Sequence, residues 1–395
     1  METLMEEKHQ SDMLSGPRTL IADDQPDILE ALRLLLKQHG YQVETAASPA
    51  AILQALEARS FDLLLMDLNY TRDTTSGQEG LDLLSRIQAV DPALPVVVMT
   101  AWGSIELAVE AMHRGVGDFV LKPWDNSRLL TILNAQIAQG QVRRQAEDQE
   151  SSKRQLGREI LEAKEIQRGL LPKEIPQFAG LEISGAWQPA RVVGGDYFDV
   201  YAVSDSRVVL CIADVVGKGM PAALLMSNLQ AAVKGSTAEA CAPSHLCRKV
   251  NAFVCSHIGP EKFITLFYGL LDLPTRKLLY TNAGHNAPAL VRANGSCLRL
   301  RQGGPVLGVF PDAGYDVGEA QLTPGDRLVM FTDGVVEATN SRDEEFGERR
   351  LVRLVVENRK GSAQELQSKI LNAASEFTGG DFQDDATLLV IAVGT

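Results

Sequence analysis

The sequence predicts two domains of different architecture joined by a long helix. The first is an α/β domain with a doubly wound parallel sheet, and the second is an α+β domain with packed antiparallel sheets. Two observations support this prediction. Up to about residue 138, continuous apolar runs alternate with amphipathic stretches, whereas from Gly180 many short strand-like runs follow one another with few helices between them. The length of 395 residues also exceeds what one core usually serves.

The domain boundaries follow from these changes of pattern. We assign residues 1–17 to a flexible N-terminal tail, 18–138 to the first domain, 139–172 to a helical linker and 173–395 to the second domain. Each domain is long enough to bury a core of its own.

Composition excludes several classes of function. A formal net charge of -13 disfavours binding to nucleic acid or to an anionic membrane surface, because both require basic patches. No apolar run approaches the length of about 18 residues that spans a bilayer, and residues 1–10 lack the pattern of a signal peptide. The five cysteines show no paired framework. We therefore expect a cytoplasmic protein whose partners are proteins or metal cations.

The predicted strands of the first domain end in residues that carry chemistry. The runs TLIADD, FDLLLMD, PVVVMTAW and DFVLKPW are read as buried strands, and the amphipathic stretches between them as helices. Asp23 and Asp24 end the first of these runs, Asp67 the next, Thr100 the third, and Lys122 lies in the last. The carboxyl ends of parallel strands open into one crevice, so these side chains are expected to converge.

The segment from about Arg18 to Ala138 resembles the receiver domains of bacterial two-component response regulators, which have a flavodoxin-like fold. The resemblance implies these roles: phosphoacceptor Asp67; Mg(II) ligands Asp23, Asp24 and Asp67; acyl-phosphate contacts Lys122 and Thr100; and switch aromatic Phe119. It also implies a sensor histidine kinase as partner. A carboxylate can attack phosphorus only if cations offset the charge repulsion, which agrees with this set. The loop from Asp67 to Gly80 departs from the family, since it is longer and lacks a Met-Pro pair.

The linker reads as a helix with sparse apolar positions. Leu156, Ile160, Ala163 and Leu170 recur at intervals of three, four and seven residues, while VRRQAEDQESSKRQ is almost entirely polar. A polar helix alone is marginally stable in water, so it is either a solvated linker or half of a dimeric coiled coil. We favour the coiled coil, and therefore a homodimer. Pro172 is predicted to end the helix.

Acidic residues recur at predicted strand ends in the second domain. They are Asp196, Asp199, Asp214, Asp333, Asp384 and Asp385. A half-buried carboxylate needs a cation or hydrogen bonds, and few lysines or arginines are adjacent to these acids in the sequence. Ligand sets made only of oxygen suit Mg(II) or Mn(II), and four or more such acids suggest two ions. Neighbouring glycines would let the backbone approach the ions closely.

The acids and their surroundings resemble the SpoIIE/RsbU branch of the metal-dependent (PPM) protein serine/threonine phosphatases, over roughly residues 166–392. The matching stretches are IQRGLLP, VGGDYFDV, ADVVGKGMPAAL, NAGHNAP, FTDGVVEA and DDATLLV. The resemblance implies two Mn(II) or Mg(II) ions held by Asp196, Asp214, the Val215 carbonyl, Asp333 and Asp384. Asp385 is expected to support these ligands, and Asp199 either to support them or to bind an extra ion.

The resemblance implies hydrolysis of phosphoserine or phosphothreonine on a partner protein of the anti-anti-sigma type, controlled by the receiver. Val216 stands where animal relatives have a histidine proposed to protonate the leaving group. His285 in NAGHNAP is interpreted as structural. The alternative is a catalytically weak adaptor that binds a partner when Asp67 is phosphorylated. Such an adaptor would be expected to lack metal-binding acids, and all of them are present here.

Overall fold

The computed structural model describes residues 16–70, 78–100, 105–237, 242–259 and 261–394. The chain divides into two compact units, Met1–Gln155 and Leu156–Thr395. Most of the expected N-terminal tail, residues 1–15, and the centre of the long loop after Asp67, residues 71–77, lie outside the described residues.

The first unit is built on a five-stranded parallel sheet with the order β2-β1-β3-β4-β5. Its strands are β1 (Arg18–Ala22), β2 (Gln42–Ala46), β3 (Leu63–Asp67), β4 (Val96–Thr100) and β5 (Asp118–Leu121). The helices between the strands are α1 (Pro26–Gln38), α2 (Pro49–Ala58), α3 (Gln78–Val90) and α4 (Ile105–His113). This architecture confirms the predicted doubly wound sheet.

Alternate residues of the central strands enter two separate cores. Leu64 of β3 belongs to one apolar cluster, and its neighbour Leu65 belongs to the other. Every residue of β3 and β4 is buried, because helices cover both faces of the sheet. The apolar runs in the sequence are continuous because both faces of these strands are buried.

One helix, α5 (Asn126–Leu170), runs for 45 residues without interruption. Its first turns bury Leu129, Leu133 and Ile137 in the core of the first unit. The boundary expected between residues 138 and 139 therefore falls inside a continuous helix, and α5 ends at Leu170 before Pro172. Further along, its exposed apolar side chains are Val142, Leu156, Leu161 and Ile166.

The second unit contains two sheets made almost entirely of antiparallel pairs, as predicted. The strands are β6 (Leu181–Gln188), β7 (Tyr197–Ser204), β8 (Arg207–Val215), β9 (Ile264–Asp272), β10 (Lys277–Ala283), β11 (Ala289–Val291), β12 (Cys297–Arg299), β13 (Gly303–Gly304), β14 (Gly318–Gln321), β15 (Arg327–Phe331) and β16 (Ala386–Val393). The helices are α6 (Met220–Thr237), α7 (Pro243–His257), α8 (Asp333–Val336), α9 (Gly347–Glu357) and α10 (Ala363–Thr378).

The sheets have the orders β13-β10-β9-β8-β7, with β14 also on β10, and β12-β11-β15-β16-β6. Strand β16 shows how the layers are arranged, because all of its residues are buried. Leu389 and Ile391 join the large core that includes the first of these sheets, whereas Leu388 and Val390 join the cluster formed with α9 and α10. Across the described residues, no helix has the length and apolar composition of a membrane span.

Candidate functional site

The predicted receiver residues lie together at the carboxyl end of the parallel sheet. Asp23 and Asp24 follow β1, and Asp67 is the last residue of β3. One oxygen from each of these three carboxylates lies within 4.8 Å of the others. Asp23 is fully buried and Asp67 is 5% exposed, so their charges are largely removed from water. Three clustered carboxylates of this kind form an oxygen donor set that suits a hard divalent cation.

Lys122 supplies the positive charge of this group. Its Nζ atom lies 2.6 Å from Asp23 Oδ2 and 3.1 Å from Asp67 Oδ2. Burial raises the pKa of Asp67, and the neighbouring Lys122 ammonium opposes that rise. The other oxygen of Asp67 accepts a hydrogen bond from the Leu68 N–H at 2.9 Å. Asp67 is therefore held by fixed donors on both oxygens.

The two remaining receiver residues lie on neighbouring strands. Thr100 ends β4 and is buried. Phe119 is the second residue of β5, and its side chain is 38% exposed. The structure thus places Thr100 at the same end of the sheet as Asp67, and leaves Phe119 partly accessible to solvent.

The acids of the second unit come from four segments at the ends of two sheets. Asp196 precedes β7, Asp214 is the next-to-last residue of β8, Asp333 begins α8 two residues after the end of β15, and Asp384 lies two residues before β16. Pairing of β7 with β8 sets Tyr197 opposite Ala213, which brings Asp196 beside Asp214. The Asp214 charge raises the pKa of Asp196, as expected for neighbouring carboxyls. In the described chain, no three acids of this unit are as tightly grouped as the receiver triad.

The two oxygens of Asp196 have different surroundings. Oδ2 accepts hydrogen bonds from the Thr332 hydroxyl at 2.7 Å and from the Thr387 hydroxyl at 2.6 Å. Oδ1 is buried and has no hydrogen-bond partner. Sequence reasoning did not identify either threonine, although each lies next to or near a predicted acid in FTDG and DDAT. The hydroxyls fix the carboxylate and leave Oδ1 for another ligand.

The carboxylates disfavour one another's ionised form. Burial and the Asp214 charge raise the pKa of Asp196. Burial, with the charges of Asp333 and Asp384, raises the pKa of Asp214 to about 7, and burial with the Glu337 charge raises that of Asp333 to about 6. Added positive charge would favour the ionised forms of these acids at neutral pH.

Asp385 holds the loop that carries Asp196. Its Oδ1 accepts the Ala190 N–H at 2.8 Å, and its Oδ2 accepts the Gly195 N–H at 2.5 Å. Burial raises the pKa of Asp385, and these backbone N–H groups oppose the rise. A Cβ atom at Gly194 would collide with the Asp385 carboxylate, so the loop requires glycine there. This arrangement supports the interpretation of Asp385 as a residue that positions a ligand.

Two lysines that the sequence did not connect to these acids pair with them. Lys218 Nζ lies 2.8 Å from Asp384 Oδ2, and Lys234 Nζ lies 2.8 Å from Asp199 Oδ2. Neither lysine is adjacent in the sequence to the acid it pairs with, so the fold brings these charges together. Lys218 is adjacent to glycines with positive φ, Gly217 and Gly219, which shape the loop between β8 and α6.

Asp199 forms its hydrogen bonds with groups other than the acids around Asp196. Its Oδ2 accepts hydrogen bonds from Lys234 and, at 2.9 Å, from the Tyr197 hydroxyl, and its Oδ1 accepts the Val200 N–H. All of these partners lie on β7 or α6. The carboxylate is buried and satisfied by groups of the chain itself.

The Val215 carbonyl and His285 are also placed by the fold. A Cβ atom built at Gly195 would lie 2.8 Å from the Val215 oxygen, so that carbonyl faces the loop carrying Asp196. Val216 donates its N–H to the Phe263 carbonyl at 3.1 Å. His285 is buried, and burial lowers its pKa to about 3. Its Nδ1 lies 2.7 Å from the Thr265 hydroxyl, which agrees with a structural role.

The donor chemistry of the second unit fits divalent cations. The partnerless Oδ1 of Asp196 is a buried acceptor, and leaving such a group unsatisfied costs about 1–3 kcal/mol or more when it is charged. The neighbouring acids supply further oxygen donors, and Mg(II) and Mn(II) prefer oxygen ligands.

Comparison with known proteins identifies both units. Residues 19–134 match the family model of the response regulator receiver domain, and residues 204–394 match the model of stage II sporulation protein E, SpoIIE. The receiver segment is 38% identical over 120 residues to the transcriptional regulatory protein GlrR of Escherichia coli, covering 30% of this chain and 26% of GlrR.

The relatives of the second unit include curated proteins and solved structures. The chain is 30% identical over 263 residues to the phosphoserine phosphatase RsbU of Bacillus subtilis, covering 66% of this chain and 77% of RsbU. It is 26% identical over 261 residues to IcfG of Synechocystis, covering 59% of this chain but only 41% of IcfG. The RsbU and RsbW domains of Rv1364c from Mycobacterium tuberculosis match with a TM-score of 0.51 and 27% identity, over 57% of this chain and 64% of that one. The SiaA PP2C domain of Pseudomonas aeruginosa shares the fold, with a TM-score of 0.55 and 22% identity over 61% of this chain and 98% of that one.

The fold and the two acidic sites define a response regulator whose output unit is a phosphatase domain of the PP2C type. More specifically, the chain belongs to the SpoIIE/RsbU family of metal-dependent protein serine/threonine phosphatases.

Proposed function

We propose that this protein removes phosphate from phosphoserine or phosphothreonine on a partner protein, that the reaction requires Mn(II) or Mg(II), and that phosphorylation of Asp67 controls it. The observation that carries the proposal is the environment of Asp196. One of its oxygens is held by two threonine hydroxyls, the other is buried without a partner, and the Asp214 carboxyl lies beside it.

Different residues of the chain would bind the cations, orient a ligand and add positive charge. Asp196, Asp214, Asp333 and Asp384, with the Val215 carbonyl, would hold two divalent cations. Bound there, the cations would offset phosphoryl charge and lower the pKa of a water that attacks phosphorus. Thr332 and Thr387 keep the Asp196 carboxylate in one orientation. Lys218 adds an ammonium at the partly exposed rim of the cluster, beside Asp384.

The substrate and the upstream partner follow from the family. RsbU of Bacillus subtilis is named as a phosphoserine phosphatase, and we extend that substrate class to a phosphoprotein of the anti-anti-sigma type for this chain. The receiver unit implies a sensor histidine kinase that phosphorylates Asp67. Mg(II) at Asp23, Asp24 and Asp67, together with Lys122, would offset the charge of the incoming phosphoryl group.

Phosphate release from a phosphoserine peptide tests the proposal. We expect hydrolysis with Mn(II) and none with excess EDTA. The change Asp214→Ala should lower kcat by at least about 100-fold, because losing a metal ligand removes several kcal/mol of transition-state stabilisation. Asp312→Ala, at an exposed aspartate of the same unit, is the matched control and should retain the wild-type rate. Full activity in EDTA, or in Asp214→Ala, would contradict a metal-dependent phosphatase.

A further inference from the structure

Gln167 connects the last turn of α5 to the loop that carries Asp196. Its carboxamide donates from Nε2 to the Gly194 carbonyl at 2.6 Å and accepts the Gly194 N–H on Oε1 at 3.1 Å. Both backbone polar groups of one residue, Gly194, are thus bound by one side chain. Gln167 is 3% exposed, which is unusual for a glutamine on an otherwise exposed part of the helix.

The loop from Gly194 to Asp196 is fixed from two sides. Gln167 binds Gly194, and the Asp385 carboxylate accepts the N–H of Gly195. The next residue is Asp196, whose Oδ2 is held by hydroxyls. The position of Asp196 Oδ1 therefore depends on a short stretch of backbone in which every residue has a defined partner.

Gln167 is the glutamine of the motif IQRGLLP, so its contact with Gly194 assigns a structural role to that motif. It was part of the family resemblance, but neither the metal ligands nor the receiver chemistry uses it. Replacing Gln167 by an apolar residue would leave the N–H and carbonyl of Gly194 without these partners in a buried place, where an unpaired polar group costs about 1–3 kcal/mol. The loop can avoid that cost only by shifting, and Asp196 would shift with it.

We propose that Gln167 is a positioning residue that sets the metal affinity of the phosphatase domain by holding the loop from Gly194 to Asp196. Because Gln167 lies in the last turn of α5, unwinding or rotating that turn would withdraw the carboxamide and weaken cation binding. The proposal rests on the proposed function in one respect, since it takes Asp196 as a metal ligand. It adds the residue through which the helix would act on that ligand.

The chain contains a matched control for this contact. Gln177 donates from Nε2 to the Ile183 carbonyl at 2.8 Å and accepts the Ile183 N–H at 2.9 Å. It therefore binds both backbone polar groups of one residue in the same way, but on β6 and at a more exposed position. The change Gln177→Met removes an equivalent pair of hydrogen bonds from a segment that carries no metal-binding acid.

The experiment measures Mn(II) binding by calorimetry in the full-length protein, with kcat and KM for a phosphoserine peptide at saturating Mn(II). We expect Gln167→Met to raise the Mn(II) dissociation constant by at least about 10-fold, as for residues that orient metal ligands. Activity should recover substantially at high Mn(II), and KM for the peptide should change little. Gln177→Met should bind Mn(II) as the wild type does.

The outcomes separate this proposal from the proposed function. If the wild type neither binds Mn(II) nor hydrolyses the peptide, the proposed function fails. If the wild type does both and Gln167→Met binds Mn(II) equally well, or Gln177→Met weakens binding as much, the positioning role is wrong. If Gln167→Met does not fold, Mn(II) binding is measured in Gln167→Glu instead. Its added negative charge would tighten cation binding, so weaker Mn(II) binding supports the role, and unchanged or tighter binding overturns it.

Discussion

At the scale of single residues, hydroxyl groups decide which carboxylate oxygen is available. The Thr332 and Thr387 hydroxyls both bind Oδ2 of Asp196, and Thr387 lies in β16 while Thr332 follows β15. The Thr332 hydroxyl also accepts the Thr387 N–H at 2.9 Å. A carboxylate with one saturated oxygen presents a single direction to a ligand, and that fixed direction is what preorganisation of a metal site requires.

The burial of His285 predicts that the protein loses folding stability in acid. Burial lowers the pKa of the imidazole from 6.5 to about 3. Between these two pH values the imidazole is protonated in the unfolded chain but stays neutral in the folded protein. The stability that depends on neutral His285 is complete above pH 6.5 and is lost as the pH falls towards 3. At pH 5 the loss should be about 2 kcal/mol, from roughly 1.5 pH units at 1.36 kcal/mol each.

Urea unfolding at pH 7 and pH 5, with EDTA present, measures this loss. The decrease in unfolding free energy should be about 2 kcal/mol smaller in His285→Gln than in the wild type. His257→Gln, at an exposed histidine, is the control and should follow the wild type. Equal decreases in wild type and His285→Gln would show that this histidine does not remain neutral in the fold.

At the scale of elements, the Asp199–Lys234 pair joins strand β7 to helix α6. Asp199 is 3% exposed and Lys234 is 45% exposed, so removing the lysine leaves a buried carboxylate with only neutral hydrogen-bond donors. Breaking such a pair destabilises a protein because the remaining charge is poorly compensated. The exposure of the lysine moderates the effect.

The change Lys234→Met should therefore lower the unfolding free energy by about 2 kcal/mol. Mn(II) affinity should stay within about twofold of the wild type, since none of the hydrogen-bond partners of Asp199 is one of the acids around Asp196. Thermal denaturation and calorimetry test the two halves of this prediction. A large loss of Mn(II) affinity without loss of stability would place Asp199 in the metal site after all.

The elements themselves were largely predictable from local pattern. Continuous apolar runs predicted the parallel strands, and acids at strand ends predicted the position of both acidic groups. The partners of those acids were not predictable. Gln167 reaches Gly194 across 27 residues, and Thr387 reaches Asp196 across 191. Such contacts are set by tertiary packing, which leaves no periodic signal in the sequence.

At the scale of the whole molecule, helix α5 is the element that belongs to both compact units. Of the positions predicted to form the coiled-coil stripe, Leu156 is exposed, and Ile160, Ala163 and Leu170 are partly buried. The homodimer remains our proposal. A switch from mostly inactive to mostly active needs a difference of about 3–5 kcal/mol between two states. Pairing of two marginally stable helices could supply a difference of that size.

We predict that phosphorylation of Asp67 changes self-association through α5 and the phosphatase rate together. The double change Leu156→Asp with Ile160→Asp should abolish both responses to acetyl phosphate and Mg(II), while Mn(II)-dependent basal hydrolysis persists. Ser151→Asp with Ser152→Asp adds the same charge at exposed polar positions of the helix and should leave the responses intact. Asp67→Asn controls for the site of phosphorylation.

Sedimentation velocity and phosphate release measure the two responses. If the double aspartate variant keeps its full response to acetyl phosphate, coupling does not pass through helix pairing. Identical sedimentation of the wild type with and without acetyl phosphate would exclude the dimer mechanism as well.

The pairing of β6 with β16 has a consequence for biosynthesis. Leu181 pairs with Val393, and β16 is also the strand that joins β6 to β15. A ribosome adding about 5–20 residues per second makes β16 on the order of tens of seconds after β6. During that interval β6 lacks its ladder partner, and Asp384 has not yet been synthesised. The nascent chain therefore completes its receiver unit before the acids of the second unit can come together.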